Sequence, residues 1–360
     1  MFILVAIAAL GFLIVVHEGG HYVVARWCKM RIERFSIGFG PGLIKKTSKK
    51  TGTIFQLAPI PFGGFVEIRG MNIAEEVDPD DPHAYPNRPV WQRFLTIFAG
   101  PATNYLSAIV LAFALYTCHG VSLPHVYGVG AVLADHDAAG KLQAGDHILQ
   151  VNDKPVYNDS GPTLTELVNQ GGGAPVKLTI RRAGNVQSVT VKPRLDVDSS
   201  KSSGKDSGKD ATSKPTWRIG VQVGSAIVSV GPLDAGRRAL EYPVEQTRAI
   251  GKALYGIVAG KEKAEPGGPV RMVEEFYKAF STSTVEGILL LMMLSVYLGL
   301  FNLLPIPALD GGRLVFLLYE MVTRRRANPK VETMVHMAGI MALGVVMLAV
   351  LYIDLRRVLS

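Results

Sequence analysis

The chain has 360 residues, of which 48% are hydrophobic and 19% charged, and its formal net charge is +8. A mean hydropathy of +0.23 argues against a wholly water-soluble protein and against intrinsic disorder, which requires few apolar residues and much charge. Only two cysteines are present, which excludes a disulfide-built scaffold. The lysine and arginine excess is dispersed, as in membrane proteins, so we expect a lipid bilayer and no nucleic acid as partner.

Four apolar stretches, taken with their flanks, are long enough to cross a bilayer as helices, which requires about 20 residues. We therefore expect a multi-pass α-helical membrane protein. A cleaved signal peptide is the alternative for the first stretch, which has no basic residues before it and no small-residue cleavage site after it. The four predicted transmembrane helices cover residues 1–27, 94–117, 287–312 and 333–354.

Basic residues predict the orientation of these helices, because loops rich in lysine and arginine stay in the cytoplasm. Such loops follow the first and third predicted helices, so residues 120–285 and both termini should lie outside. Arg356 and Arg357 near the C-terminus fit this orientation less well. The loop residues are Arg26, Lys29, Arg31, Arg34, Lys45, Lys46, Lys49 and Lys50 after the first helix, and Arg324, Arg325, Arg326 and Lys330 after the third.

The segments between the predicted helices differ in composition. Residues 28–93 are rich in glycine and alternating apolar residues, which indicates short strands in a cytoplasmic, membrane-associated β region. Residues 128–194 contain strand-like runs and one helical piece, and they predict a small β-rich domain inserted between the second and third helices. Residues 198–216 are a low-complexity run expected to be a flexible linker, and residues 217–285 predict a strand followed by amphipathic helices.

The first predicted helix contains the pattern H-E-x-x-H, as His17-Glu18-Gly19-Gly20-His21. Positions i and i+4 share one face of a helix, so both imidazoles can reach a single Zn²⁺. Glu18 would stand beside the ion, where it can accept a proton from an attacking water. Ionisable residues inside an apolar span are costly and indicate function. The alternative is a pair of histidines hydrogen-bonded within a helix bundle.

A catalytic zinc usually takes three protein ligands and keeps one position open. Asp310, in the run NLLPIPALDGG after the third predicted helix, is the candidate for the third ligand. It follows a span that runs in the same direction as the first, so it should lie at the same end of the membrane as the two histidines. The alternative is that Asp310 only caps the helix that begins near Gly312.

These two motifs together resemble the site-2 protease family of intramembrane zinc metalloproteases, peptidase family M50. The segments RFSIGFGP, IPFGGFVEIRG, FAGPATN and GGPV resemble further motifs of that family, so the likeness covers most of the chain. Family members have a β-hairpin that dips into the membrane and contacts substrate. The resemblance implies His17, His21 and Asp310 as zinc ligands, Glu18 as catalytic acid and base, and Asn302, Gly63, Gly64 and Phe65 as substrate-binding residues.

Within residues 128–194, the run VGAVLADHDAAGKLQAGDHILQVNDKPV resembles a PDZ domain of the permuted type found in bacterial proteases. Residues 145–148 and 151–152 fit the usual pattern, whereas Asp137-Ala138-Ala139 replaces S-P-A. Another small β domain is the alternative. Related proteases often carry two PDZ domains, and this chain has room for one.

The resemblance implies regulated intramembrane proteolysis in the inner (plasma) membrane of a bacterium. Substrates would be the transmembrane segments of single-pass proteins, such as clipped anti-sigma factors or remnant signal peptides. The PDZ domain would face the periplasm and bind peptide C-termini, with the active site toward the cytoplasm. The alternatives are a non-catalytic PDZ scaffold, which has no use for Glu18, and a metal transporter, which would carry polar residues along several spans. We expect no ligand role for His119, His125, His136, His147 and His336, and a solvent-facing Asp354.

Overall fold

A computed structural model describes residues 2–72, 75–156, 162–196, 216–261 and 268–359. The chain divides into two compact units. The first, here called the helical unit, comprises Met1–Leu115 and Gly236–Ser360, and the second, the β unit, comprises Tyr116–Ala235. The β unit is therefore an insertion between two parts of the helical unit.

Among the described residues, four helices are long and apolar enough to cross a membrane, in agreement with the four predicted from the sequence. They are α1 (Phe2–Trp27), α2 (Val90–Cys118), α6 (Thr284–Leu303) and α8 (Pro329–Leu359). Four further helices are shorter or amphipathic: α3 (Leu164–Gln170), α4 (Pro232–Val258), α5 (Pro269–Thr282) and α7 (Asp310–Thr323).

The contact between α1 and α2 depends on one glycine. A Cβ at Gly20 would collide with the backbone oxygen of Ala99 and with Thr103 Oγ1, so only glycine lets the two helices approach this closely. Thr103 Oγ1 also donates a hydrogen bond to the Val16 carbonyl oxygen at 2.9 Å. On its other side α1 packs against α5 and α6 through an apolar cluster. The buried residues of this cluster are Ala9, Leu13, Phe276 and Leu291.

Residues 28–93 contain a four-stranded sheet with the order β2-β3-β1-β4. β1 pairs in parallel with β3, whereas β1–β4 and β2–β3 are antiparallel. β4 is thus an edge strand, and its outer edge has no partner strand among the described residues. The strands are β1 (Ile32–Phe39), β2 (Ile44–Thr47), β3 (Ile54–Leu57) and β4 (Ile60–Ile68).

The β unit is built on a sheet with the order β12-β5-β6-β8-β9, and β7 pairs with β6. Its core contains Ile148, Val176, Leu178 and Ile180, which are all buried, and α3 adds Leu167. The unit is larger than the predicted segment 128–194, because β5 starts at Val121 and pairs with β12 near the end of the unit. The strands are β5 (Val121–Val132), β6 (His147–Val151), β7 (Lys154–Pro155), β8 (Val176–Arg182), β9 (Asn185–Val191), β10 (Arg194–Asp196), β11 (Thr216–Arg218) and β12 (Val221–Val228).

Two predicted segments differ from the elements that the structure describes. The predicted linker, residues 198–216, lies outside the described residues except for Thr216, the first residue of β11. The predicted third span, 287–312, is interrupted, since α6 ends at Leu303 and Asp310 begins a separate helix.

The expectation that Asp354 faces solvent is wrong, because this residue is only 4% exposed. Its Oδ2 lies 3.5 Å from the backbone N of Arg271, in the first turn of α5. A helix N-terminus has free N–H groups and a partial positive charge, so it attracts a carboxylate. Asp354 therefore connects the end of α8 to the start of α5.

Candidate metal centre

His17 and His21 lie one turn apart on α1 and point to the same place. Their rings are edge-to-face, with centroids 4.9 Å apart, and their Nε2 atoms are 3.3 Å apart. The two side chains are buried, with 9% and 8% of each residue exposed. The helical spacing expected from H-E-x-x-H is therefore present, and both free ring nitrogens converge on one point.

Asp310 brings an oxygen to the same point from the start of α7. Its Oδ2 lies 3.2 Å from His17 Nε2 and 3.4 Å from His21 Nε2. The preceding loop turns sharply, with Ala308 at φ +80°, and this turn aims the carboxylate at the imidazoles. α7 has no side-chain cap at its N-cap residue, Leu309. The position of Asp310 thus favours a ligand role over a capping role.

The three atoms fit a zinc ion. A tetrahedral zinc with bonds of about 2.0–2.1 Å holds its ligand atoms roughly 3.3–3.4 Å apart, which is the spacing of these three atoms. Asp310 Oδ2 is buried without a hydrogen-bond partner, a costly state that a bound cation removes. Within the part of the chain that the structure describes, this is the one group of three His, Cys, Asp or Glu side chains arranged to hold a metal.

Residues of α2 contact the second ring nitrogen, Nδ1, of each imidazole. His21 Nδ1 donates a hydrogen bond to the Thr96 carbonyl oxygen at 2.8 Å, and His17 Nδ1 lies 2.9 Å from the Asn104 side-chain amide nitrogen. Asn104 is fully buried. Groups of this kind orient metal-binding histidines. Sequence reasoning assigned no role to Asn104, although it is the last residue of FAGPATN, a segment already singled out.

Glu18 lies next to the metal-binding face and close to β4. Its carboxylate faces the backbone N–H of Val66. A Cβ at Gly64 would lie 2.7 Å from Ser36 O and 3.1 Å from Glu18 Cγ, so β4 comes this close to α1 only because residue 64 is glycine. The edge strand and the proposed general base are therefore adjacent.

A pocket of about 580 Å³ opens onto these residues. Of the four predicted substrate-binding residues, Asn302, Gly64 and Phe65 line it, whereas Gly63 is not among its described lining residues and lies against the Phe39 ring. His336, expected to be an ordinary polar residue, lines the pocket from α8. The remaining lining residues are His17, Glu18, His21, Val66, Glu67, Ile68, Met71, Asn72, Ile97, Ala308, Leu309, Asp310, Arg313, Glu332, Thr333, Met337 and Ile340.

His336 also explains part of the loop geometry. Its Nδ1 accepts a hydrogen bond from the backbone N–H of Ala308 at 3.2 Å, two residues before Asp310. Arg93 of α2 holds α7 further along through a bidentate pair with Glu320, at 2.5 and 3.1 Å. α7 and its preceding loop are therefore fixed from two sides.

The Gly145-Asp146 pair of the β unit has a structural role. Asp146 is only 1% exposed, and it accepts hydrogen bonds from the Arg182 guanidinium at 2.6 Å and from the Gln143 backbone N–H at 2.8 Å. Burial raises the pKa of this carboxyl, but the Arg182 and Gln143 hydrogen bonds outweigh burial, and the net pKa is lowered. The assignment of the unit as a PDZ domain stays a prediction.

Comparison with known proteins gives one consistent result. The sequence profile of peptidase family M50 matches residues 5–346. A protein of Rickettsia conorii, named as a candidate zinc metalloprotease, is 33% identical over 98% of this chain and 98% of its own length. Similarly named proteins of Mesorhizobium japonicum and Clostridium acetobutylicum are 32% and 29% identical, over 91% and 97% of this chain and 90% and 95% of their own lengths.

The metal-binding geometry, the four apolar helices and these relatives together define a membrane protein that is a zinc metallopeptidase. The chain belongs to peptidase family M50, the site-2 protease family, so the resemblance seen in the sequence is confirmed.

Proposed function

We propose that this metallopeptidase cleaves peptide bonds within the transmembrane segments of single-pass membrane proteins. The observation that carries the proposal is the position of the HEGGH motif, which lies inside an apolar helix long enough to span the membrane. A peptidase working on soluble substrates has no need of an active site in such a helix. Clipped anti-sigma factors and remnant signal peptides are the substrate classes that the family resemblance suggests.

His17, His21 and Asp310 hold the zinc in this proposal. When bound, zinc supplies Lewis-acid polarisation of the substrate carbonyl and activation of water. Glu18 accepts the proton of the attacking water and passes it to the amine nitrogen that leaves. Asn302, which lines the pocket, is suited to bind the substrate backbone or to stabilise the oxyanion. One of its two amide N–H groups donates to the Leu298 carbonyl oxygen, and the other has no acceptor among the described residues.

The free edge of β4 gives the substrate a place to bind in extended form. Gly64, Phe65 and Val66 lie along both this edge strand and the pocket wall. A helix hides its carbonyl groups from attack, so a transmembrane segment must be unwound, and pairing with a sheet edge satisfies the backbone groups that unwinding exposes.

The proposed setting is the inner membrane of a bacterium, with the active site toward the cytoplasm. Lysine and arginine after the first and third spans support this orientation. The β unit would then lie on the periplasmic side, where a PDZ-like fold would bind peptide C-termini or limit substrate size.

Glu18→Gln tests the proposal. Glutamine keeps the shape of the side chain but cannot take a proton, so zinc should stay bound while cleavage falls by about 10²–10⁴-fold. Purified parent and variant would be assayed for zinc content and for cleavage of a single-pass model substrate in liposomes. Cleavage within tenfold of the parent by a zinc-loaded variant would count against the general-base role.

A further inference from the structure

A second pocket, here called the basic pocket, lies where α1 ends. It has a volume of about 330 Å³ and is lined by Arg26, Lys29, Met30, Arg31 and His83. It shares no described lining residue with the pocket of the candidate metal centre. Its volume falls within the range of about 300–1,000 Å³ that is usual for small-ligand sites.

Positive charge in the basic pocket is not balanced by its surroundings. Arg26 and Lys29 form no salt bridge with any residue that the structure describes, whereas Arg31 is paired with Glu33 at 2.8 Å. Asp81, which accepts a hydrogen bond from the His83 backbone N–H, is paired with Arg69 at 3.0 Å. Two exposed cations therefore share one concavity, where they repel each other unless an anion lies between them.

The wall of the basic pocket is rigid. The His83 ring donates from Nδ1 to the Lys29 carbonyl oxygen at 2.8 Å, and the His83 carbonyl oxygen accepts from the Arg31 backbone N–H at 2.9 Å. The ring nitrogen Nε2 of His83 has no partner among the described residues. These contacts hold the backbone from which Lys29 and Arg31 project, together with the His83 ring, in a fixed arrangement.

Lys29 occupies a position that normally belongs to glycine. α1 ends in a Schellman motif, with Met30 N–H bonded to Ala25 O and Lys29 N–H bonded to Arg26 O. Lys29 is the left-handed residue of that motif, with φ +58°. A lysine there costs backbone energy that glycine would not, and such residues are found mainly where a side chain has a function.

Trp27 indicates the depth of the basic pocket in the membrane. It is 70% exposed, directly beside Arg26, at the end of a helix that can span the bilayer. Exposed tryptophans at span ends lie at the level of lipid headgroups. We propose that the basic pocket binds the phosphate of an anionic phospholipid headgroup through Arg26 and Lys29.

Native mass spectrometry of the full-length protein in detergent tests this proposal. Phosphatidylglycerol and phosphatidylcholine of equal chain length are added separately. We expect one phosphatidylglycerol to be retained in preference to phosphatidylcholine. In Arg26→Gln/Lys29→Gln the affinity for phosphatidylglycerol should fall roughly thirtyfold, because each basic side chain near a headgroup contributes a factor of about five. Lys49→Gln/Lys50→Gln removes the same charge from exposed residues outside the pocket and should leave the affinity at its parental value.

Lys29→Gly separates lipid binding from folding. It removes one charge while giving the helix end its preferred residue, so affinity for phosphatidylglycerol should fall about fivefold with no loss of thermal stability. Equal losses in both double variants, equal retention of both lipids, or an unchanged affinity in Lys29→Gly would overturn the proposal. Inorganic phosphate added at the lipid concentration should not displace phosphatidylglycerol; displacement would show a free-phosphate site instead of a lipid site.

Discussion

The orientation of each imidazole that is proposed to bind zinc depends on a single hydrogen-bond partner in α2. A histidine that binds metal through Nε2 carries its proton on Nδ1 and needs an acceptor there. Thr96 supplies a carbonyl oxygen to His21, whereas His17 faces the Asn104 amide, whose Oδ1 is buried without a partner. A half-turn of this amide about its χ2 angle brings Oδ1 onto His17 Nδ1–H. Asn104 can therefore select the tautomer of His17 that binds zinc.

Asn104→Leu should weaken zinc binding by about 10–100-fold, the usual cost of losing an outer hydrogen-bond partner of a metal ligand. The measurement is competition for zinc against a chelator in purified protein. Ser107→Ala is the matched control, because it removes an interhelical hydrogen bond to Ser295, at 2.6 Å, without contacting either imidazole. Parental zinc affinity in Asn104→Leu would show that the amide has no such role.

Asp310→Asn should lower zinc affinity by more than the Asn104 variant does, since it replaces a charged ligand by a neutral amide. If Asp310 acted only at the helix N-terminus, asparagine would serve almost as well. Zinc content and cleavage of a model substrate would be measured together. Full zinc occupancy and full activity in the variant would support capping and exclude the ligand assignment.

Residue types and spacing were enough to predict the convergence of His17, His21 and Asp310. H-E-x-x-H has a fixed geometry on any helix, and a carboxylate near a membrane span is costly and therefore indicates a function. The roles of Asn104 and His336 could not be predicted in this way. Asn104 meets His17 across 87 positions of sequence, and His336 meets Ala308 across 28. Such contacts depend on which faces of the helices pack together.

At the scale of the helix, the two central glycines of HEGGH are not equivalent. A Cβ at Gly19 would have no atom within 4 Å, whereas one at Gly20 would collide with α2. Gly19 is therefore a cost to helix stability, and Gly20 is required for close packing. The difference explains how a motif with two glycines remains helical within a tightly packed pair of spans.

Gly20→Ala should destabilise the protein by about 1–3 kcal/mol, as overpacking usually does, because the Ala99 backbone oxygen cannot move aside. Gly19→Ala should leave stability unchanged or raise it by up to about 1 kcal/mol through helix propensity. Thermal unfolding in detergent, with zinc content recorded for each sample, compares the two. If both variants unfold at the same temperature, the close approach of α1 and α2 at residue 20 is not limiting.

Elements other than the long spans were harder to predict than the spans themselves. Length and hydropathy identify a span directly, but the break at Leu304–Leu309 and the start of α7 at Asp310 depend on local backbone turns. The edge position of β4 likewise depends on pairing partners, because β1 pairs in parallel with β3 although β2 lies between them in sequence. Strand order in a sheet is a tertiary property that composition does not encode.

On the scale of the whole molecule, the candidate chemistry belongs to one unit. Glu18 and the three proposed zinc ligands all lie in the helical unit, and none lies within Tyr116–Ala235. The predicted inserted domain, residues 128–194, contains only the last part of β5 and leaves out β12, because these paired strands are separated by almost the whole insertion in sequence. A deletion of residues 128–194 would therefore cut through β5, leaving its first residues paired with β12 but removing β6 to β9.

A variant without the β unit should instead be cut at the two residues where β5 begins and β12 ends, because these residues are paired. Val121 lies opposite Val228 in the antiparallel β5–β12 pair, so their Cα atoms are about 5 Å apart and a short glycine linker can replace residues 121–228. The remaining chain keeps every proposed catalytic residue, so zinc content should equal that of the parent. Cleavage of a short single-pass substrate should be kept or raised, because the unit is proposed to select substrates and not to act on them.

The decisive comparison uses two substrates that share one transmembrane segment, one with a short outer tail and one with a bulky folded outer domain. The parent should cut only the short form, whereas the deletion should cut both, since the proposed filter on outer size is gone. Fragment yields for both substrates are measured in liposomes, with Glu18→Gln in each background as the inactive control. A deletion that retains zinc and thermal stability but cuts neither substrate would make the β unit part of the catalytic apparatus. If the deletion variant still does not cleave the bulky substrate, the size limit lies in the helical unit.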